Sequence, residues 1–168
     1  TAEALGTFFL CFAGIAAILS NDKLIGSGAG IVGIALAHGL ALSVAVNAFG
    51  GLSGAHFNPA VTAGMLVTGR ISGKLAGGYV ISQLIGAIVA SFLCILIFPT
   101  EVVTNQKLGI PLPSPLFEHN IGVILLVEFI LTFLLMTAIY GTAIDQRGPG
   151  VKIGAFGIGL TVTFEILA

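Results

Sequence analysis

Residues 53–62 read SGAHFNPAVT, placing a His, an Asn and a Pro in the middle of a chain that is otherwise mostly apolar. Polar groups are costly in lipid and Pro breaks helices, so the stretch needs a physical account. Asn is a favoured helix N-cap, and Pro is favoured at the first helical position because its missing N–H would have no partner there. Asn58-Pro59-Ala60 therefore reads as the start of a short helix, entered through an extended segment from Ser53 to Phe57. The part from Asn58 to Thr68 is about 11 residues, or about 16 Å as a helix, which is half a bilayer. Too short to cross, it can dip in and return. Non-helical backbone at that depth is tolerated only where protein buries it or a water-filled cavity is lined by it. A helix start carries roughly half a positive charge, so at mid-membrane it disfavours cations while its capping Asn offers a neutral amide. A bare Asn-Pro pair also fits an ordinary junction at the membrane surface. The half-bilayer length and the small residues around it favour the buried entry.

The flanking sequence is that of a membrane protein. Of 168 residues, 57% are hydrophobic and only 8% charged, with a mean hydropathy of +1.13; a soluble domain carries about a quarter charged residues. The 24 Gly suit close packing of helices in lipid. Apolar segments near the roughly 20 residues needed to span run from about Ala2 to Leu19, Ile31 to Ala48, Leu75 to Phe98 and Ile121 to Ile144. A fifth starts near Val151 and is still apolar at Ala168. The turn-like SNDK (20–23), a polar Pro-containing loop (99–120) and DQRGPG (145–150) separate them. No cleavable signal is expected, because Thr1 opens directly into an apolar run, and the missing Met suggests that a short leader is absent.

Charge placement suggests an orientation. With the N-terminus cytoplasmic, Arg70, Lys74, Arg147 and Lys152 fall inside and only Lys23 and Lys107 outside, with Asp22, Glu101 and Glu118 adding outer acid. Six basic and seven acidic residues leave no excess to attract nucleic acid. Cys11 and Cys94 lie in apolar runs and read as small buried hydrophobes. Thr7, Ser43, Asn47, Ser82 and Thr132 read as bonding their own or a neighbouring helix, and His119 as a solvated loop residue.

A faint duplication runs through the chain. Glu3, Thr7 and Phe8 recur as Glu128, Thr132 and Phe133, and HGLAL (38–42) is echoed by IGLTV (158–162), at offsets of about 120 to 125. Three elements separate the copies, so the second begins on the opposite side of the membrane. Inverted repeats with half-helices meeting at the midplane are how many transport proteins build a pathway. Residues 1–98 read as the first repeat, 99–120 as an outer connecting loop and 121–168 as the start of the second.

These pieces together resemble the aquaporin, or major intrinsic protein, family: AEALGTF (2–8), SGAHFNPAVT (53–62), QLIGAIVA (83–90), VEFILTFLLM (127–136) and GIGLTVTFEILA (157–168). The resemblance implies an all-α membrane bundle with inverted repeats, six spans and two half-helices in the family. Five spans and one half-helix are expected here, because the chain ends before a second Asn-Pro-Ala. By resemblance, Asn58, Pro59 and Ala60 stand at the pore centre and Asn58 donates its amide to passing water. The carbonyls of Gly54, Ala55, His56 and Phe57 form an acceptor row, with the backbone of His56 mattering more than its ring. Glu3, Gln83 and Glu128 correspond to buried polar residues that hold the re-entrant loops through backbone hydrogen bonds. His38 and Ile166 fall at two of the four outer filter positions, a pairing like that of plant vacuolar-type members with wider filters; Glu165 beside them has no assigned role.

The expected function is a passive channel for water, with ammonia, hydrogen peroxide or glycerol as further solutes, working as a homotetramer in the lipid bilayer. No cofactor, metal, nucleic acid or enzymatic activity is expected, since no nucleophile–base pair, metal cluster or phosphate loop is present in the sequence. Two other readings stay open: a proton-coupled transporter using Glu3 or Glu128, and a non-conducting membrane scaffold.

Overall fold

The computed structural model describes residues 1–26, 28–115, 117, 120–145, 147 and 153–168, and every regular element among them is helical. Long apolar helices form α1 (Ala2–Leu19), α2 (Gly30–Ser53), α4 (Gly73–Ile97) and α6 (Ile121–Ile139), the last continued by a π-helical turn, Tyr140–Ile144. Between α2 and α4 lies the short α3 (Pro59–Val67), and α7 (Gly154–Leu167) is an apolar helix of 14 residues. Four of these helices, counting α6 with its π turn, are long and apolar enough to cross a membrane. Glu118, His119 and Lys152, and most of the break expected at 145–150, lie outside the described residues.

The ends of the helices follow from local chemistry. Ser72 and Asn120 cap α4 and α6 by accepting from the backbone N–H of Leu75 (3.4 Å) and Val123 (3.2 Å). Pro99 follows the last turn of α4, and Asn21 closes α1 by donating to the carbonyl of Ala17 (2.7 Å). Ser43 and Asn47 bond carbonyls of their own helix, at Gly39 (2.9 Å) and Ser43 (3.0 Å).

Two regions differ from the sequence expectation. α2 does not stop near Ala48 but carries its helix through Phe49-Gly50-Gly51 to Ser53. Ser53 thus belongs to the helix rather than to an extended lead-in. The connecting loop at 99–120 is not plain coil either: it holds α5 (Thr100–Asn105) and a 3-10 turn, Lys107–Gly109. Val102 of α5 is completely buried against Leu19 and Cys94, and this tertiary anchor stabilises a helix too short to persist alone. Beside it Gln106 donates to the carboxylate of Asp22 (3.0 Å), which also accepts from the Leu24 N–H (2.9 Å). These bonds hold the Asp22 carboxyl below its ordinary range.

In the bundle α1 packs between α2 and α4, while α7 lies along α2 and also touches α6. Gly39 on α2 packs against Gly159 and Thr163 on α7, and Gly159 packs against Gly39 and Ser43. Advancing from Gly39 to Ser43 therefore means retreating from Thr163 to Gly159, so the two helices run antiparallel. The stretches paired by the 120-residue offset in sequence meet face to face here. Thr163 bonds the Gly159 carbonyl (3.1 Å) as Ser43 bonds that of Gly39. The main core gathers where α2, α3, α6 and α7 converge, around Leu42, Phe57, Val61, Leu135 and Ile158.

Candidate pore site

Asn58 stands where the chain turns from irregular backbone into α3. Its φ and ψ of −147° and 127° are those of an N-cap, and its Oδ1 accepts from the Ala60 N–H (2.7 Å), with Pro59 at the first helical position. With Oδ1 so engaged, the Nδ2 donors of Asn58 remain for a ligand. The residues leading in are not extended: Gly54, Ala55 and Phe57 have φ of 81°, 53° and 50°. Left-handed backbone at Ala55 and Phe57 costs on the order of 1–3 kcal/mol each and persists only where surrounding bonds over-determine it.

Those bonds converge on one carboxylate. Glu3 on α1 is 2% exposed. Its Oε1 accepts from the His56 N–H (3.1 Å) and the Ser53 hydroxyl (2.5 Å), and its Oε2 from the Phe57 N–H (2.8 Å) and Gln83 Nε2 (2.7 Å). Four donors satisfy a buried charge that would otherwise be costly. Thr7, one turn along α1, donates to the Phe57 carbonyl (3.1 Å), and Tyr79 on α4 donates to the Ser53 carbonyl (2.7 Å). The Phe57 ring is almost wholly buried over Gly6, where a Cβ would come within 2.0 Å of it.

Above this loop lies a cavity of about 370 Å³. Gly54, Ala55, His56 and Asn58 form its polar side, and side chains such as Leu42, Val46, Leu135, Ile139, Ile158 and Val162 its apolar wall. Few convergent polar groups in an apolar cavity are the usual form of a small-molecule site.

Several expected residues are placed differently. Phe57 is not among the residues that line the cavity, and its carbonyl accepts from the Thr7 hydroxyl. Gln83 holds the loop through side chains rather than backbone, donating to Glu3 and to Thr62 Oγ1 (3.0 Å). Glu128 is exposed rather than buried, beside Leu112 and Ser114 at a shallow cavity, because the described chain covers little of α6. The His38 ring rests on Gly14 of α1, with Nδ1 bonded to the Ile34 carbonyl (2.8 Å), and neither His38 nor Ile166 touches the central cavity. Their helical register is informative all the same: His38 stands four residues before Leu42 and Ile166 four after Val162, both wall residues. On antiparallel helices both positions lie one turn beyond the wall at the same end.

Thr7, Ser53, Thr62 and Tyr79 were not singled out from the sequence as parts of the site. Tyr79 carries a usable signal: it stands four residues before Gln83, so one face of an otherwise apolar helix bears two polar groups. Nothing local in the sequence joins Thr7 to a carbonyl 50 residues away.

The model of the major intrinsic protein family matches residues 1–168. A probable aquaporin TIP3-2 of Arabidopsis thaliana is 44% identical over 99% of this chain and 63% of its own length. A probable NIP-type aquaporin of Nicotiana alata is 39% identical over 98% of this chain and 57% of its own length. The chain thus spans less than two thirds of these relatives. A glycerol uptake facilitator protein-like 6 of Lactiplantibacillus plantarum is 39% identical over 99% of the chain and 72% of its own length. Among solved structures, the aquaglyceroporin of Plasmodium falciparum superposes with a TM-score of 0.75 at 26% identity, covering 99% of this chain and 68% of that one. With the family match over its whole length, a bundle of membrane-spanning helices and a half-helix started by Asn58, this chain belongs to the major intrinsic protein family.

Proposed function

We propose that the protein is a passive transmembrane channel for water, with small neutral solutes such as ammonia, hydrogen peroxide or glycerol as further substrates. The observation that carries this reading is Asn58: its Oδ1 is consumed by the helix cap, its Nδ2 is left for a solute, and the wall opposite is apolar. A single file of molecules meets donors at Asn58 and acceptors from the backbone of Gly54, Ala55 and His56. The half-helix dipole, positive at that end, opposes cations.

In this reading Glu3 and Gln83 fix the loop, Glu128 does the same for the second repeat, and His38 with Ile166 sets the width at the outer end. The N-terminus is cytoplasmic, and the protein assembles as a homotetramer in the bilayer. No enzymatic step is involved. A proton-coupled transporter working through Glu3 fits less well, because both oxygens of that carboxylate are already occupied by donors.

Stopped-flow light scattering on proteoliposomes of the complete protein tests the proposal. Osmotic water flux should scale linearly with the gradient, with a low activation energy. Saturable flux that requires a proton gradient would point to the transporter, and background permeability from well-folded protein to the scaffold.

A further inference from the structure

We infer that Tyr140 is a positioning residue of the pore: clamped by Thr68 and Arg70 at the end of the half-helix α3, it holds the π-helical turn of α6 so that Ile144 walls the central cavity and sets its width at that end. This rests on the channel reading of that cavity.

The clamp follows from how α3 stops. Gly69, at φ 70°, lets its N–H reach the Leu66 carbonyl (3.0 Å) while the Arg70 N–H reaches that of Met65 (2.8 Å), the paired closure that ends many helices at a glycine. That closure leaves Arg70 beside α6, its guanidinium carbon 5.2 Å from the centroid of the Tyr140 ring, a cation–π distance. The Thr68 hydroxyl also meets the hydroxyl of Tyr140. A hydroxyl has one hydrogen, and that of Thr68 goes to the Gly64 carbonyl (2.8 Å), so Tyr140 donates and Thr68 accepts. One turn earlier Met136 lies over Gly64, where a Cβ would come within 2.6 Å of the methionine methyl. Gly64 with Met136 and Thr68 with Tyr140 thus pair at the same four-residue step, and the two helices meet along a seam of matched turns.

Tyr140 is also the first residue of the π turn, and its carbonyl closes the turn by accepting from the Asp145 N–H (2.8 Å). Such turns are rare and gather at functional sites. Leu135, Ile139 and Ala143 face the central cavity at steps of four, and the wider turn adds Ile144 to the same wall. Beyond Ile144 lies a second cavity, of about 670 Å³, lined by Arg70, Phe133, Tyr140 and their neighbours. Among the described residues Ile144 is the one that both cavities share, so its side chain stands between them. Thr142 in the turn is 3.4 Å from the Gly154 carbonyl at the start of α7, whereas Ile166 is near the other end of that helix. The turn therefore bounds the cavity at the end away from His38 and Ile166. With the clamp released, the turn is free to relax into an ordinary helical one, which withdraws Ile144 and opens this end toward the second cavity.

Thiol labelling of Ile144→Cys in the complete protein in nanodiscs tests the clamp, with the rate of the wild-type protein, which carries Cys11 and Cys94, subtracted. Tyr140→Phe keeps the ring under Arg70 and loses only the donor to Thr68. Combined with Ile144→Cys, it should raise the rate of labelling by a water-soluble maleimide about fivefold, the shift expected from one lost hydrogen bond. Thr68→Val should act alike, and the two together no more than either. An unchanged rate, or effects that multiply, overturns the clamp. The pore role is read from the ratio of glycerol to water permeability in proteoliposomes, which a merely structural part would leave alone. At equal folded yield the ratio should rise in both Tyr140→Phe and Ile144→Ala, and a ratio unchanged in either overturns the width-setting role. A wild-type protein that passes neither water nor glycerol would instead sink the channel reading, while the labelling rate still decides the clamp.

Discussion

Gly39 on α2 and Gly159 on α7 each set a carbonyl oxygen where the other's Cβ would be: a methyl on Gly39 would lie 2.4 Å from the Gly159 oxygen, and one on Gly159 would lie 2.2 Å from the Gly39 oxygen. Both obstacles are backbone and neither can rotate aside. This crossing fixes the distance between the helices that carry Leu42, Val46, Ile158 and Val162, and so one dimension of the cavity.

Gly159→Val should therefore push α2 and α7 apart. Overpacking at such a contact costs about 1–3 kcal/mol, and the expected outcome is a lower melting temperature and reduced folded yield in detergent. Gly159→Ala should lie between wild type and Val. A wild-type melting temperature for the Val variant would mean that the helices do not cross this closely.

Replacing Glu3 by Gln keeps the shape but exchanges an acceptor oxygen for an NH₂ group. Two of the four donors now facing the carboxylate would then meet another donor, and each buried group left unsatisfied costs about 1–3 kcal/mol. Glu3→Gln should destabilise the protein more than Thr7→Val, which leaves only the Phe57 carbonyl without its side-chain donor. Thermal unfolding followed by dispersity, run on both variants in parallel, checks the order.

Asn58→Asp retains the oxygen that accepts from Ala60, and a carboxylate is favourable at a helix start. The cap and the fold should survive. The amide donor is lost, however, and a negative charge faces an apolar wall, so water permeability should fall by roughly tenfold, the effect of losing about 1.4 kcal/mol, and cation exclusion should weaken. Proteoliposome shrinkage alongside a sodium flux assay measures both. If neither changes, Asn58 does not stand at the constriction.

The clasp between Asp22 and Gln106 gives a pH dependence of defined sign. The folded carboxyl is held below its ordinary value, chiefly by Gln106 and then by the Leu24 N–H. Its stabilising contribution is thus complete above the unfolded value, about 3.9, and fades as pH falls through the lower folded one. The protection factor of the Leu24 amide, its exchange rate corrected for the intrinsic effect of pH, should fall below about pH 4 in wild type. In Asp22→Asn the acid-dependent part of that change should vanish; its persistence would mean that another group controls the loop.

How far the sequence reached can be judged residue by residue. Asn58 and Pro59 announced the half-helix because N-cap and first-turn chemistry is local, and the long apolar runs announced their own helices. The backbone of Ala55 and Phe57 was not legible, since left-handed conformations in non-glycine residues arise from bonds imposed from elsewhere, here by Glu3 across 50 residues and more. The same holds for α5, which depends on Val102 finding Leu19 and Cys94. Glu3 and Glu128 match in sequence, but among the described residues only Glu3 is buried, because burial depends on the chain packed around a side chain and the offset says nothing of that.

The four-donor cluster at Glu3 also constrains how the chain is made. The carboxylate belongs to α1, but its partners are Ser53, His56, Phe57 and Gln83, which are synthesised 50 to 80 residues later. Until then the acid at the start of α1 lacks those donors, and an acidic side chain within a membrane is costly unless it is paired. The start of α1 is thus completed by chain made later: only with Ser53, the loop and Gln83 in place does Glu3 have all four of its donors.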